Sequence, residues 1–253
     1  MMRLWLLLLC LMATTPSRAA LSERDLAKAV ARPPAGVMLP DVVFSDMAGR
    51  KASLRALAQG RPLVLLFADF TCRNICSPGL TITAARLRDT RLAPGVDYRL
   101  VVIGLDPRDT SADARHFVQA IDTMPEVARV TTVLHGDAAA VHAATGALGY
   151  GYVYDAQSDQ FAHDASIYVF DVDGRLTALL PEIGLLGPPL KAALTRSGGR
   201  QGDWITQVAH LCYGFAAMHG RFTRWVVPGL QGLSLLLLIA LAGWLFRARR
   251  GVA

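Results

Sequence analysis

Cysteine is scarce in this sequence: four in 253 residues, too few for a domain stapled by disulfides. No basic block with interleaved aromatics occurs, so the net charge of +6 gives no footprint for nucleic acid. No Gly-rich phosphate loop, no Ser-His-Asp arrangement and no paired-carboxylate site is recognisable. Internal repeats and low-complexity tracts are missing too, which excludes solenoids. What remains is the profile of one ordinary domain with a core of its own, flanked by two apolar ends.

The first end has the layout of a secretory leader. Met1-Met2-Arg3 is basic, Leu4 to Met12 is apolar, and Ser17-Arg18-Ala19 offers small residues at the cleavage positions. Residues 1–20 are therefore expected to be a signal peptide, with Cys10 discarded along with it. At the other end, Trp225 to Phe246 carries no charge and is followed by Arg247, Arg249 and Arg250. That length suits a hydrocarbon core of ~30 Å, and the arginines fit a cytoplasmic side. The expected organisation is leader 1–20, N-terminal segment 21–39, folded domain 40–200, juxtamembrane segment 201–224, transmembrane helix 225–246 and cytoplasmic tail 247–253. The expected place is the bacterial cytoplasmic (inner) membrane, crossed once, with the domain on the periplasmic side.

Within the domain the periodicity alternates. "DVVFSDMAGRKASL" reads as two short strands about a Gly turn. Arg61 to Phe70 is nearly continuous in apolar residues, as a strand covered on both faces is. A helix is expected over Pro78 to Arg91, a second buried strand over Tyr98 to Asp106, and a helix capped near Thr110-Ser111 running to Ile121. A short strand at Val130 to Leu134 precedes a helix with Asp137 as N-cap and Gly149 as stop. "ASIYVFDVDGRLTALL" is a hairpin turning at Asp173-Gly174, and a last helix lies near Pro189 to Arg196. A short helix is also expected between Leu21 and Arg32. This order of strands and helices is that of an α/β, thioredoxin-like fold with an N-terminal hairpin extension, to which one C-terminal transmembrane helix is added.

The chemistry gathers in "FADFTCRNICSPGL", Phe67 to Leu80, where Cys72 and Cys76 follow a buried strand and open a helix. They thus lie at the carboxyl end of the sheet, where open α/β sheets bind ligands. At i and i+4 both sulfurs share one helix face, and the helix N-terminus and Arg73 favour thiolate. The position fits a redox couple, a two-sulfur metal site or a structural disulfide, and inert burial is the fourth reading. Three intervening residues, rather than two, leave room for a soft metal.

A third ligand is then wanted, and six histidines compete. His116 and His142 read as ordinary helix residues, His135 follows a short strand, and His210 and His219 flank Cys212 ahead of the apolar end. His163, in "SDQFAHDAS", sits in the loop feeding the last hairpin, which in a thioredoxin-like fold passes over the first helix's N-terminus. Asp106 and Asp109 also fall at the carboxyl end of the sheet and read as turn and cap formers.

Three ordered segments carry a family resemblance: "FADFTCRNICSPGL", "VVIGLDPRDTSADARHF" and "YVYDAQSDQFAHDASIYVFDVDGRL". Together they resemble the SCO/SenC family of membrane-tethered, copper-handling proteins of cytochrome c oxidase assembly. "HLCYGFAAMHGRFTRWV" resembles the tail of a bacterial subgroup with a C-terminal anchor. Arg73 and Ser77 stand where the family commonly has proline. The resemblance implies copper, Cu(I) or Cu(II), held by Cys72, Cys76 and His163. It implies a metallochaperone delivering copper to the copper-containing subunit of the oxidase, with copper-donor and thiol-reductant proteins as further partners and no nucleic acid. The alternative it leaves is a thiol–disulfide reductase with Cys72 and Cys76 as the catalytic pair.

Overall fold

The computed structural model of the chain describes residues 21–72, 76–156, 159–182, 184–196, 232–236 and 238, and for Glu23 and Cys76 the backbone alone. After a single helical turn at Glu23–Leu26, a hairpin of β1 (Val43–Asp46) and β2 (Lys51–Ser53) turns at Gly49, whose φ is +76°. A short helix at Leu54–Ala58 leads to β3 (Leu63–Ala68), and α1 (Cys76–Asp89) follows. Next come β4 (Arg99–Gly104), α2 (Ser111–Val118) with a 3₁₀ turn at Gln119–Ile121, and a short helix at Pro125–Ala128. They lead to β5 (Thr131–His135), α3 (Ala138–Leu148), β6 (Tyr152–Asp155) and β7 (Gln160–His163). The hairpin of β8 (Ser166–Phe170) and β9 (Leu176–Pro181), then α4 (Gly187–Thr195), complete the domain.

Seven strands form one mixed sheet in the order β2-β1-β5-β4-β3-β8-β9, while β6 and β7 make a separate two-stranded hairpin. β3, β4 and β5 run parallel, and β8 is antiparallel to β3. The central strand shows why its sequence looked continuous. Val64, Leu66 and Ala68 pack on one side with Leu80, Ala84 and Leu87 of α1, Phe117 of α2 and Leu190 of α4. Leu63, Leu65 and Phe67 pack on the other with Phe44, Leu54, Val141 and Leu148. Period-2 alternation thus serves two cores at once, so no polar face is needed.

Local signals set the ends of the helices. Thr110 caps α2 in a full capping box: its hydroxyl accepts from the N–H of Ala112 and Asp113, and its own N–H donates to Asp113. Asp137 caps α3, and Gly149 ends it in the left-handed region with φ +60°. The expected strands and helices fall where the periodicity placed them within a few residues. The short helix expected between Leu21 and Arg32 is the single turn Glu23–Leu26. One expectation needs correction. His163 lies not in a loop but at the end of β7, paired with Tyr152 across the small hairpin.

The expected membrane anchor is corrected as well. Spanning takes about 20 apolar residues in one helix, and among the described residues no helix is long and apolar enough to cross a membrane. Within 225–246 only 232–236 and 238 are described, as exposed helix. The rest of that span, the leader, the segment 201–224 with His210, Cys212 and His219, and the tail 247–253 lie outside the described residues. The C-terminal transmembrane helix, the anchored subgroup and the single-pass inner-membrane placement are therefore not carried further.

The two-sided core and the capping box make different claims on stability. Leu65→Ala, in the fully buried central strand, is expected to cost about 3 kcal/mol, and Thr110→Ala about 1 kcal/mol. Urea unfolding midpoints of the two variants check both the order and the gap.

Candidate metal centre

Cys72 lies in the loop after β3, and the backbone of Cys76 begins α1, so the pair stands at the carboxyl end of the sheet as expected. Cys72 is half-buried against the core face that holds Phe70 and Leu80. The side chain of Cys76 and residues Arg73, Asn74 and Ile75 lie outside the described residues. Among the described residues no group of three His, Cys, Asp or Glu side chains is assembled for a metal. The ligand set Cys72, Cys76 and His163 thus stands as an expectation of sequence, and the structure describes what supports two of its members.

The main support is Asp69, which the sequence reading passed over. It is fully buried one residue beyond β3. Its Oδ1 accepts from the N–H and hydroxyl of Thr71 at 3.0 and 2.9 Å, and its carbonyl accepts from the Cys72 N–H at 3.1 Å. Its Oδ2 accepts from the Phe161 N–H at 3.0 Å. One carboxylate therefore ties the cysteine loop to the strand that carries His163 two residues further on. Burying an acid is costly unless its oxygens are hydrogen-bonded, and both oxygens of Asp69 are.

A second tie runs outside the first. Arg108 donates to Asp106 through Nε and Nη2, and Nη2 also donates to Asp159 at 2.7 Å. The guanidinium lies 5.6 Å from the centre of the Tyr154 ring, whose hydroxyl donates to Asp159. Hydrogen bonds from Tyr154 and then Arg108 hold the Asp159 carboxyl below its ordinary range. The loop after β4 is thereby joined to the turn between β6 and β7. Asp106 forms the expected turn, accepting from the Arg108 N–H at 2.8 Å. The cap role falls to Thr110, leaving Asp109 buried with no hydrogen-bond partner for Oδ2.

His163 is half-buried, and its Nδ1 lies 2.7 Å from the Tyr150 hydroxyl and 2.9 Å from the Asp164 carbonyl. The other described histidines stand elsewhere. His116 and His142 are exposed on helices, and His135 Nε2 is 3.0 Å from the Ser111 hydroxyl.

Two acids near this region are held protonated. Burial, then the charges of Asp106 and Asp69, push Asp109 up to about 8. Burial, then Asp164, push Glu182 up to about 8. Glu182 presses on the first turn of α1, where Gly79 leaves the space: a Cβ there would strike its Oε2. No pattern in the sequence marks Glu182. Asp69, by contrast, could have been found as an acid at the end of an apolar run, where charge demands partners.

Two expectations follow. Asp69→Ala leaves the Thr71 and Phe161 N–H groups without their acceptor, at a cost on the order of 3 kcal/mol, and Phe161 amide exchange should accelerate in hydrogen-exchange measurements. Asp109 and Glu182 have folded pKa values above the reference values of 3.8 and 4.5, so the native state binds the extra protons. Their stabilisation is complete below those reference values and is lost as pH rises toward about 8. Denaturation series from pH 4 to pH 9 should show that decline, and Glu182→Gln should flatten it and exceed the parent above pH 8.

A family profile described as SCO1/SenC matches residues 40–187. No curated protein matches the chain. Solved structures share its fold at low identity. Bradyrhizobium japonicum ScoI with copper bound is 22% identical with a TM-score of 0.50, over 66% of this chain and 99% of that one. A SCO1/SenC family lipoprotein from Bacillus anthracis str. Ames is 18% identical with a TM-score of 0.54, over 66% and 98%. Arabidopsis thaliana ScoI with copper bound is 18% identical with a TM-score of 0.53, over 62% and 95%. The family profile spans more than half of the sequence and takes in Cys72, Cys76 and His163, and on that match the chain belongs to the SCO1/SenC family.

Proposed function

We propose that this protein is a copper metallochaperone that serves the assembly of the copper centre of cytochrome c oxidase, holding one copper ion as cargo on Cys72, Cys76 and His163. Family membership supports the general role, and copper is bound in the Bradyrhizobium japonicum and Arabidopsis thaliana relatives. The observation that carries the reading to particular residues is the Asp69 carboxylate, which bonds both the loop before Cys72 and the strand before His163. Two thiolates and an imidazole form a soft, electron-rich set suited to Cu(I). Delivery is ligand exchange without net redox change: incoming partner thiolates replace Cys72, Cys76 and His163 one at a time, and copper leaves in the oxidation state in which it arrived.

Anaerobic titration of the reduced full chain with Cu(I), against a competing chelator, tests this. One equivalent should bind, and His163→Ala should weaken binding roughly tenfold or more. Unchanged binding in His163→Ala, with Cys72→Ser abolishing reduction of a protein disulfide, would establish a thiol–disulfide reductase instead. A pair that takes up neither reductant nor metal would be a structural disulfide.

A further inference from the structure

His163 is not held by its strand alone. Three atoms meet at its Nδ1 side, each within hydrogen-bond distance of the other two. The Tyr150 hydroxyl oxygen is 2.7 Å from Nδ1 and 2.5 Å from the Asp164 carbonyl oxygen, and Nδ1 is 2.9 Å from that carbonyl. The carbonyl only accepts, and the hydroxyl has one proton to give.

With a bare Nδ1, that single proton would have to serve three contacts. Two of them would then set lone pair against lone pair at these separations. With a proton on Nδ1, every contact is served: the Tyr150 hydroxyl donates to the Asp164 carbonyl, and Nδ1–H donates into the same pair of oxygens. In the neutral ring this leaves the lone pair on Nε2.

The parts of this triangle are fixed from behind. Tyr150 is buried, its ring centroid is 4.3 Å from that of Phe67, and its N–H donates to the Thr145 carbonyl as α3 ends. It stands between Gly149 and Gly151, and a Cβ at either would strike the carbonyl of Arg32 or Lys28. The segment ahead of β1 therefore lies directly on the backbone that presents Tyr150. It also reaches Asp164, whose Oδ2 accepts from the Ala31 N–H at 3.0 Å, while the Ser166 hydroxyl donates to Oδ1.

We infer that Tyr150 is a positioning residue that, with the Asp164 carbonyl, holds the His163 imidazole as its Nδ1–H tautomer and so makes Nε2 the nitrogen that takes a soft metal cation. The metal half of this rests on the copper reading above, and the tautomer half does not. An imidazole without such an anchor spreads its proton over both nitrogens, and the Nε2–H form must rearrange before it can ligate through Nε2. Tyr150 removes that competing form before the metal arrives.

The test uses the reduced, metal-free full chain with ¹⁵N-labelled histidines. Long-range ¹H–¹⁵N correlation reads the tautomer, with the His163 signals identified by their loss in His163→Ala. Nδ1 should appear protonated and Nε2 bare. Tyr150→Phe keeps the ring against Phe67 and removes only the hydroxyl, so the Nε2–H form should gain population and Cu(I) affinity should fall about tenfold. In a His163→Ala background the same change should leave Cu(I) affinity unaltered, which separates positioning from a general loss of structure. A bare Nδ1 in the parent, or a tautomer indifferent to Tyr150→Phe, overturns the inference. So does equal weakening in both backgrounds. A tautomer that behaves as expected in a chain that binds no Cu(I) overturns the copper reading and the role of Nε2, while the Nδ1–H assignment stands.

Discussion

At the carboxyl end of this sheet one buried carboxylate ties two distant segments together. Asp69 sits where the central strand stops, buried where no water reaches its carboxyl group. Such a group must find donors, and it takes them from Thr71 on its own loop and from the Phe161 N–H of a strand far along the chain. The requirement of the acid thus becomes a constraint on the chain. A cysteine loop and a two-stranded hairpin that share no sheet are held to the same point. The small hairpin would be marginal by itself, because two strands bury little. Asp69 on one side and the Arg108–Asp159 pair on the other give it fixed attachments.

Much of this architecture can be read from the residues, and the unread part has a physical reason. Buried strands reveal themselves because both faces must be apolar, and Leu63–Ala68 and Arg99–Gly104 emerged from composition with nearly correct limits. Thr110, Asp137, Gly149 and Gly174 were legible because caps and turns demand particular side chains or a positive φ. The β6–β7 hairpin was not. Its strands are only half-buried and close on each other rather than on the main sheet, so no alternation set them apart from a loop. The apolar run near the C-terminus was read from hydropathy and the arginines after it, and among the described residues no helix is long and apolar enough to match it.

Of the site, Cys72, Cys76 and His163 were visible as residue types with chemistry to offer. The groups that hold Cys72 and His163 were visible only in part. Asp69 stood inside the quoted cysteine stretch, and its meaning came from the donors it gathers rather than from its neighbours in sequence. Tyr150, Asp164 and Glu182 contribute through contacts between segments far apart, and such contacts leave no local pattern. Glu182 and Asp109 share a further property: both are kept neutral by burial beside other acids. A neutral acid under the first turn of α1 adds no negative field beside the cysteine loop.

The Phe161 bond has one more consequence, through register. Side chains on a strand alternate faces, so a slip of one residue in β7 would exchange the faces of Phe161, Ala162 and His163 together. A free hairpin of four-residue strands has little to forbid such a slip. Here the Phe161 N–H is committed to Asp69, while Tyr152 opposite His163 and Tyr154 opposite Phe161 hold the pairing from the other strand. Phe161 also packs against both tyrosine rings, at 5.8 and 5.1 Å between centroids. The histidine's face is therefore decided two residues away, by a carboxylate that belongs to the cysteine loop. The turn that leads to Cys72 and the strand that leads to His163 are thus tied to the same acid.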